Sequence, residues 1–415
     1  MTQDISLDIS VEMLTSIDAI SAAAWDALSD ATPLLSHAFL SALEHSGSIS
    51  ATTGWNPRHL LVKQCEQIIG AMPLYLKSHS YGEYVFDWAW ADAYQRSGLE
   101  YYPKLLSAIP FSPITSPRLL SQHEDTMQLM IKALERVMQQ HKLSSVHVLF
   151  PDEAGAQQFE AAGWLKRTGV QFRWHNKNYG DFEDFLATLS HDKRKKIHQE
   201  RKKIAAANIV CRPIKGAEVN AADWDFFYAC YCNTYYEHHS TPYLTRAFFA
   251  EIGKTMPQNL LLIMAEIEGK PIACTLNIYN ETTLYGRYWG AMQFVSGLHF
   301  ELCYYQAQQF CMTEKIKYFE GGAQGEHKLA RGFEPRPTCS YHKIAHPDFE
   351  AAIKDFLLRE SKGMTAYTNE LEERAPFKSS QWRLLSKLPT TIDTAYQSAF
   401  RHHQLAIGQI LLSRI

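Results

Sequence analysis

Residues 260–290, LLLIMAEIEGKPIACTLNIYNETTLYGRYWG, read as three consecutive β-strands. β-Branched, aliphatic and aromatic residues fill 260–267, 271–279 and 283–289, and Glu268-Gly269-Lys270 between the first two is a hairpin turn signal. Ahead of this meander, the pattern predicts a strand over 208–214 and helices near 221–237 and 245–256. After it come a helix at about 300–314, a short strand at 316–320, a glycine-rich loop, a strand near 338–345 and a helix from 348. Helices, a meander, then alternating helices and strands predict an α/β protein with a mixed sheet.

Reading back towards the N-terminus finds the same plan. Helices near 17–28 and 36–45 precede strands at 58–65, 68–77 and 83–88; then come a helix at 122–140, a strand at 145–150 and a helix near 155–162. Ile69-Gly70-Ala71 answers Ile272-Ala273-Cys274, and Ser97-Gly98-Leu99 answers Ser296-Gly297-Leu298, both at offsets of about 200 residues. A chain of 415 residues exceeds what one core usually supports. We therefore expect one domain over 1–178 and a second over 179–375 that carries the chemistry. A helical tail over 376–415 would have its Ala395, Ala399, Leu405, Ile407, Ile410 and Leu411 docked on the body or on a partner subunit.

Hydrophobic content of 46% and charged content of 20% describe an ordinary globular chain, and a net charge of −3 gives no global attraction to polyanions. No apolar run approaches 18 residues, so no membrane span is expected, and MTQDISLDIS lacks the signature of a signal peptide. Eight cysteines without a CxxC pair suit reduced thiols in a cytoplasm. Glu237-His238-His239 is not HExxH, and no metal site is expected.

Three segments carry chemistry. On the strand 283–290, alternation places Tyr285, Arg287 and Trp289 on one face and Leu284, Gly286, Tyr288 and Gly290 on the other. An arginine there needs an anionic ligand or a carboxylate, with Glu320 or Glu301 as the internal choices. In FEGGAQGEHKLARGFEP (319–335), Glu320 ends a strand, and Gly321, Gly322 and Gly325 free the backbone to turn and to present N–H groups to an anion. Such a loop brings together residue types that can act as a base and as donors to an anion. Glu320, Glu326 and His327 are the candidate bases, and Lys328 and Arg331 the candidate binders of phosphate or carboxylate. HDKRKKIHQERKK (191–203) holds seven Lys or Arg, Lys195 and Lys196 among them, and reads as a basic helix facing solvent or a phosphate-rich ligand.

Two of these stretches, with LYGRYWGAMQFVSGLHFELCYYQAQQF (284–310), PYLT (242–245) and PLYLK (73–77), resemble an N-acyltransferase family described by peptidoglycan biosynthesis and recognition. That family is related to the FemAB aminoacyl-ligases of the GNAT (acyl-CoA N-acyltransferase) superfamily. The resemblance covers nearly the whole chain and implies two tandem GNAT-like domains. FemAB enzymes move an aminoacyl group from tRNA to an amine of a peptidoglycan precursor, whereas ordinary GNATs use acyl-CoA. The resemblance thus implies acyl-CoA or aminoacyl-tRNA as co-substrate, no tightly bound cofactor, an amine acceptor, and a tRNA or acyl carrier as partner. FemAB relatives carry a similar basic helix beside the binding cleft. The competing expectation is a binding module on the same scaffold, recognising a cell-wall precursor or nucleic acid without catalysis.

The donor loop departs from the GNAT pattern of Gln/Arg-x-x-Gly-x-Gly/Ala, whose glycines expose N–H groups to pyrophosphate. Here the matching segments are Gln293-Phe294-Val295-Ser296-Gly297-Leu298 and Gln95-Arg96-Ser97-Gly98-Leu99-Glu100. One has serine and leucine at the small positions, and the other ends in an acid. Calorimetric titration with acetyl-CoA is therefore expected to show no binding tighter than roughly 100 µM, about 5.5 kcal/mol. A low-micromolar constant would return the chain to the conventional acetyltransferases.

Overall fold

The computed structural model describes residues 9–323, 325–374, 376 and 377. Beyond residues 376 and 377, the expected helical tail and any oligomer contact through it lie outside the described residues. Fourteen strands are formed among those described. The first eight are β1 (Ile9–Leu14), β2 (Trp55–Pro57), β3 (His59–Gln64), β4 (Gln67–Met72), β5 (Tyr75–Lys77), β6 (Lys104–Ser107), β7 (Ser145–Leu149) and β8 (Leu165–His175). Then come β9 (Ile209–Lys215), β10 (Leu260–Ile267), β11 (Lys270–Tyr279), β12 (Thr283–Ala291), β13 (Tyr318–Glu320) and β14 (Phe333–Ile344).

β1, β3 and β4 make a small antiparallel sheet, and the other eleven form one mixed sheet in the order β2-β5-β6-β7-β14-β8-β13-β12-β11-β10-β9. The α/β expectation holds. The β10–β11 hairpin turns on Glu268 (φ 50) and Gly269 (φ 74), the double left-handed conformation that a two-residue turn demands. β6 pairs parallel with β7, and β12 parallel with β13. Between these pairs the two last strands change places: β14 lies against β7, and β8 against β13. β8 and β14 then pair with each other from Phe333↔Trp174 to His342↔Leu165.

Apolar residues cover both faces of the sheet. One core contains Trp224, Phe227, Tyr231 and Phe249 from the helices Ala221–Glu237 and Arg246–Thr255, packed with Tyr285 and with Phe111 from the first half. The other contains Leu284, Phe319, Phe172 and Trp174 beneath the helical run from Leu298 to Thr313.

Some local expectations change. Residues 83–88 form no strand; they lead into a helix, Trp88–Arg96, that buries Trp90 and Tyr94 at i, i+4 spacing. The alternating aromatics Tyr84, Phe86 and Trp88 imitate a strand, but Asp87 is buried as a counter-ion of Lys104. The 68–77 strand is broken after Met72, before Pro73. The 17–28 helix is reduced to two short turns, and the 338–345 strand begins earlier, at Phe333.

The seam between β7 and β14 carries a buried histidine pair. His147 Nδ1 and His342 Nδ1 are 2.7 Å apart, so only one of them carries the shared proton. His147 Nε2 also lies 3.1 Å from Tyr101 Oη, which donates to Asp87. Burial, reinforced by Lys104 and only partly offset by Asp87, holds His147 down at about 3; burial and its neighbour also hold His342 well below an ordinary imidazole. The unfolded chain binds protons at these positions below about 6.5 and the folded chain does not, so stability falls as pH drops through that value. We expect the melting temperature to fall by at least about 4 °C between pH 7 and pH 5. His342→Gln should flatten that slope; a slope unchanged in the variant would remove the pair from the acid response.

Candidate active site

β12 and β13 pair only from Thr283↔Tyr318 to Tyr285↔Glu320; β13 ends there, while β12 runs on to Ala291. Past Tyr285 the two strands part, and the opening is the feature around which the sequence-derived candidates must be placed.

β12 does not alternate as a flat strand would. Leu276 pairs with Tyr288 and Asn277 with Gly286, so Arg287 is the extra residue of a bulge. Tyr285, Arg287 and Tyr288 therefore all turn to the core of the helix Ala221–Glu237, where Tyr288 packs edge-on against Tyr231 at 5.3 Å. Trp289 goes to the opposite side and meets the His299 ring at 5.2 Å. The expected grouping of Tyr285, Arg287 and Trp289 on one face is thus corrected: one inserted residue reverses the alternation beyond it. Gly290 is needed because a Cβ there would lie 2.1 Å from the Cys230 carbonyl oxygen. It admits a helix backbone.

Arg287 pairs with neither Glu320 nor Glu301. Glu320 Oε1 accepts from Arg173 Nε at 2.6 Å, and Glu301 is held by Gln306 at 2.7 Å and Arg201 at 3.2 Å. Phe319, Phe172 and Trp174 point into the core beneath the helical run, so Glu320 and Arg173 project from the other face. Burial raises the Glu320 carboxyl, and the Arg173 guanidinium only partly offsets this. The result is a carboxylate at a strand end, better suited to accept a proton than one in water.

The glycine-rich loop and its turn, Glu326–Arg331, make the opposite rim. Gly321 N–H is not offered to an anion; it donates to the Phe172 carbonyl at 2.7 Å and extends the sheet. Gly322 (φ 75) turns the chain, and Gly325 (φ 98) turns it again in a backbone conformation that L side chains rarely adopt. His327 Nε2 lies 2.9 Å from Tyr304 Oη. The residue is exposed overall, yet its ring leans on Phe300 and Tyr304; this desolvation, then Lys328, Arg331 and Lys196, pulls it down to about 4. Lys328 is buried and is drawn down to about 8 by that burial. Arg331 is 2% exposed and committed: it bonds both Glu200 oxygens, at 3.0 and 2.9 Å, and its guanidinium carbon lies 3.5 Å from the Phe300 ring centre. The side chain of Glu326 lies outside what the structure describes.

The basic helix, His191–Ala206, closes this side. Ile197 and Ile204 are buried, whereas Lys195 and Lys196 are exposed, and Lys196 faces His327 closely enough to depress it. The structure thus gathers His327, Lys328, Arg331 and Lys196 on one rim, and sets Glu320, Tyr285 and Arg287 on the other face of the sheet.

The model of a family described by peptidoglycan biosynthesis and recognition matches residues 16–379. The chain belongs to the FemAB-like family. Among solved structures, it is similar to FemX (9% identity, 75% of this chain and 93% of that one, TM-score 0.47). It is also similar to a tandem GNAT protein from the clavulanic acid biosynthesis pathway (11%, 82% and 99%, 0.42) and to L-PGS from Bacillus licheniformis (9%, 79% and 97%, 0.46). No curated protein matches the chain.

Within this FemAB-like chain, sequence reasoning missed Arg173, the partner of Glu320, and Phe111, whose carbonyl accepts from Arg287. Both come from the first half, and no local pattern links them to residues more than a hundred positions away. It also missed Glu200, one of two acids in a basic run, which is the counter-ion of Arg331. Glu200→Ala should cost roughly 3 kcal/mol in denaturant unfolding, because it leaves a buried guanidinium unpaired. Replacing exposed Lys195 and Lys196 by Ala should change stability by less than about 0.5 kcal/mol each. Equal, small effects would mean that Arg331 has another source of compensation.

Proposed function

We propose that this chain is an N-acyltransferase that moves an acyl or aminoacyl group to an amine, with its reaction centre where β12 parts from β13. The observation that carries this reading is Glu320, a half-buried carboxylate raised by desolvation at the end of β13, with one oxygen steadied by Arg173. Glu320 takes the proton of the attacking amine as the N–C bond forms. The C–O bond of an aminoacyl-tRNA ester, or the C–S bond of an acyl thioester, breaks, and the departing atom recovers a proton from solvent. The amine acceptor is a small molecule or a peptidoglycan precursor, in keeping with the family.

For the donor, the altered pyrophosphate loops argue against ordinary acetyl-CoA. The exposed cations of the basic helix, where His191, Arg194, Lys195, His198 and Lys202 border one shallow concavity, favour tRNA or a carrier-bound acyl group. We assign 1–178 and 179–375 to two duplicated halves, because β6–helix–β7–helix–β8 and β12–helix–β13–turn–β14 share their order and parallel pairing. We place the reaction in the cytoplasm, which the eight free cysteines favour.

Glu320→Gln is expected to lower amide formation, followed by mass spectrometry over a panel of charged tRNAs and acyl thioesters, by about 100-fold or more. Its melting temperature should stay within about 2 °C of the parent. Undiminished turnover would remove Glu320 from the mechanism. Stabilisation by polyanions alone, reversed by salt and with no amide from any donor, would instead favour the binding module that the basic helix also suits.

A further inference from the structure

Arg287 occupies a pocket that the acyl-transfer reading leaves without an occupant. Its Nη2 donates to the Phe111 carbonyl and lies 3.5 Å from Tyr288 Oη, over whose ring the guanidinium sits at 5.1 Å. Its Nε is buried and has no partner. No carboxylate among the described residues comes within 4.0 Å; the groups that act on its charge are the phenols of Tyr288, Tyr84 and Tyr235. The far wall is Phe111 stacked on Tyr243 at 4.9 Å, with Tyr235 edge-on to Tyr243 at 5.8 Å. A guanidinium lined by aromatic rings and phenols, with no counter-charge, is costly to keep unless an anion completes it.

Two further observations point to a ligand. Arg287 is only partly buried and Tyr84 is 39% exposed, so the cluster reaches the surface at that tyrosine. Tyr84 (φ 65) and Phe111 (φ 57), the two residues the first half sends to the pocket, both stand in left-handed backbone, which bulky side chains rarely adopt. Such strain persists where the surroundings impose it and concentrates at binding sites. Gly82 makes this approach feasible, since a Cβ there would lie 2.6 Å from the Phe111 ring.

Position adds the chemistry. Tyr285 is the register partner of Glu320, and Arg287 lies on the same face two residues, roughly 7 Å, further along the strand. Both side chains are long enough to reach one small molecule. A single guanidinium among planar rings suits a planar, singly charged group better than a phosphate. We propose that the Arg287 pocket binds the carboxylate of the acyl acceptor, which makes that acceptor an amino acid or short peptide whose nucleophilic nitrogen lies a few bonds from a free carboxylate. This rests on the acyltransfer reading for the role of Glu320, but the binding it demands needs no donor.

The test is calorimetric titration of the full chain, without donor, with L-alanine, D-alanine, L-lysine and D-alanyl-D-alanine, each beside its C-terminal amide and beside inorganic phosphate. At least one acid should bind tenfold or more tighter than its amide and than phosphate. Arg287→Gln should abolish that preference, and Tyr288→Phe, which keeps the ring and removes the phenol, should weaken it; circular dichroism checks that both variants fold. Amides or phosphate binding as well as the acids, wild-type preference in Arg287→Gln, or no binding by any acid would each overturn the proposal. Acid-selective binding with no amide product from any donor would sink the acyltransferase and spare the pocket. Efficient turnover of amines that lack a carboxylate would do the reverse.

Discussion

The pairing of β8 with β14 is the constraint on which the rest of the molecule depends. β7 needs a neighbour, and the strand that supplies it, β14, lies nearly two hundred residues further along the chain; β13 in turn is completed by β8. A strand edge left open would expose a row of unpaired N–H and C=O groups. Neither half closes its own sheet here, so their relative position is set by hydrogen-bond register rather than by the softer packing typical of domain interfaces. That rigidity reaches the candidate site directly. Glu334 in β14 and Glu320 in β13 both pair with Arg173 across β8, so the strand that joins the halves also carries the cation that steadies the proposed base.

On that frame a single inserted residue decides which side chains can cooperate. Without the bulge at Arg287, Tyr288 would point away from Tyr231 and Trp289 would take its place on the Arg287 side. With it, guanidinium and phenol share one face, and Trp289 is left to line the opposite rim with His299. The same bulge comes just after β12 loses β13 as a neighbour. The backbone is therefore irregular where a ligand would lie against it, and regular at Thr283–Tyr285, where it must hold Glu320 in place.

What could be read from the sequence follows from the range of the interactions involved. The meander was legible because strand periodicity and the Glu268-Gly269 turn are local, and its bounds fall within a residue or two of β10, β11 and β12. The Trp88–Arg96 helix was not, because its alternating aromatics and a buried Asp87 obey a distant lysine rather than their neighbours. The site was half legible. Glycines, a strand-end carboxylate and clustered charges drew attention to 319–335, which the structure divides between the sheet end at Glu320 and the turn that carries His327. Their pairings were hidden, since Arg331 belongs to Glu200, Glu320 to Arg173, and Gly321 to the sheet. Alternation also misjudged Trp289, because a bulge leaves no mark in the residues on either side of it.

The two rims differ in a way that bears on what each can hold. On the His327 side Arg331 is paired with Glu200, Lys328 is buried, and the other cations lie on the basic helix, whose exposed Lys195 and Lys196 are screened by water and can be stripped of counter-ions together by a long polyanion. Burial keeps His299 near 3 and His327 near 4, so neither histidine adds charge at neutral pH and both present neutral rings beside Trp289 and Phe300. On the Arg287 side, Arg173 is spent on Glu320, and Arg287, partly desolvated and with no carboxylate within 4.0 Å among the described residues, faces phenols. Electrostatic attraction there is short in range and strong per contact, which selects a small ion by fit rather than a large one by total charge. A large donor gathered on one rim and a small acceptor seated on the other would meet at the opening between β12 and β13. Glu320 stands at the end of the shorter strand, where in the proposed reaction the attacking amine would give up its proton.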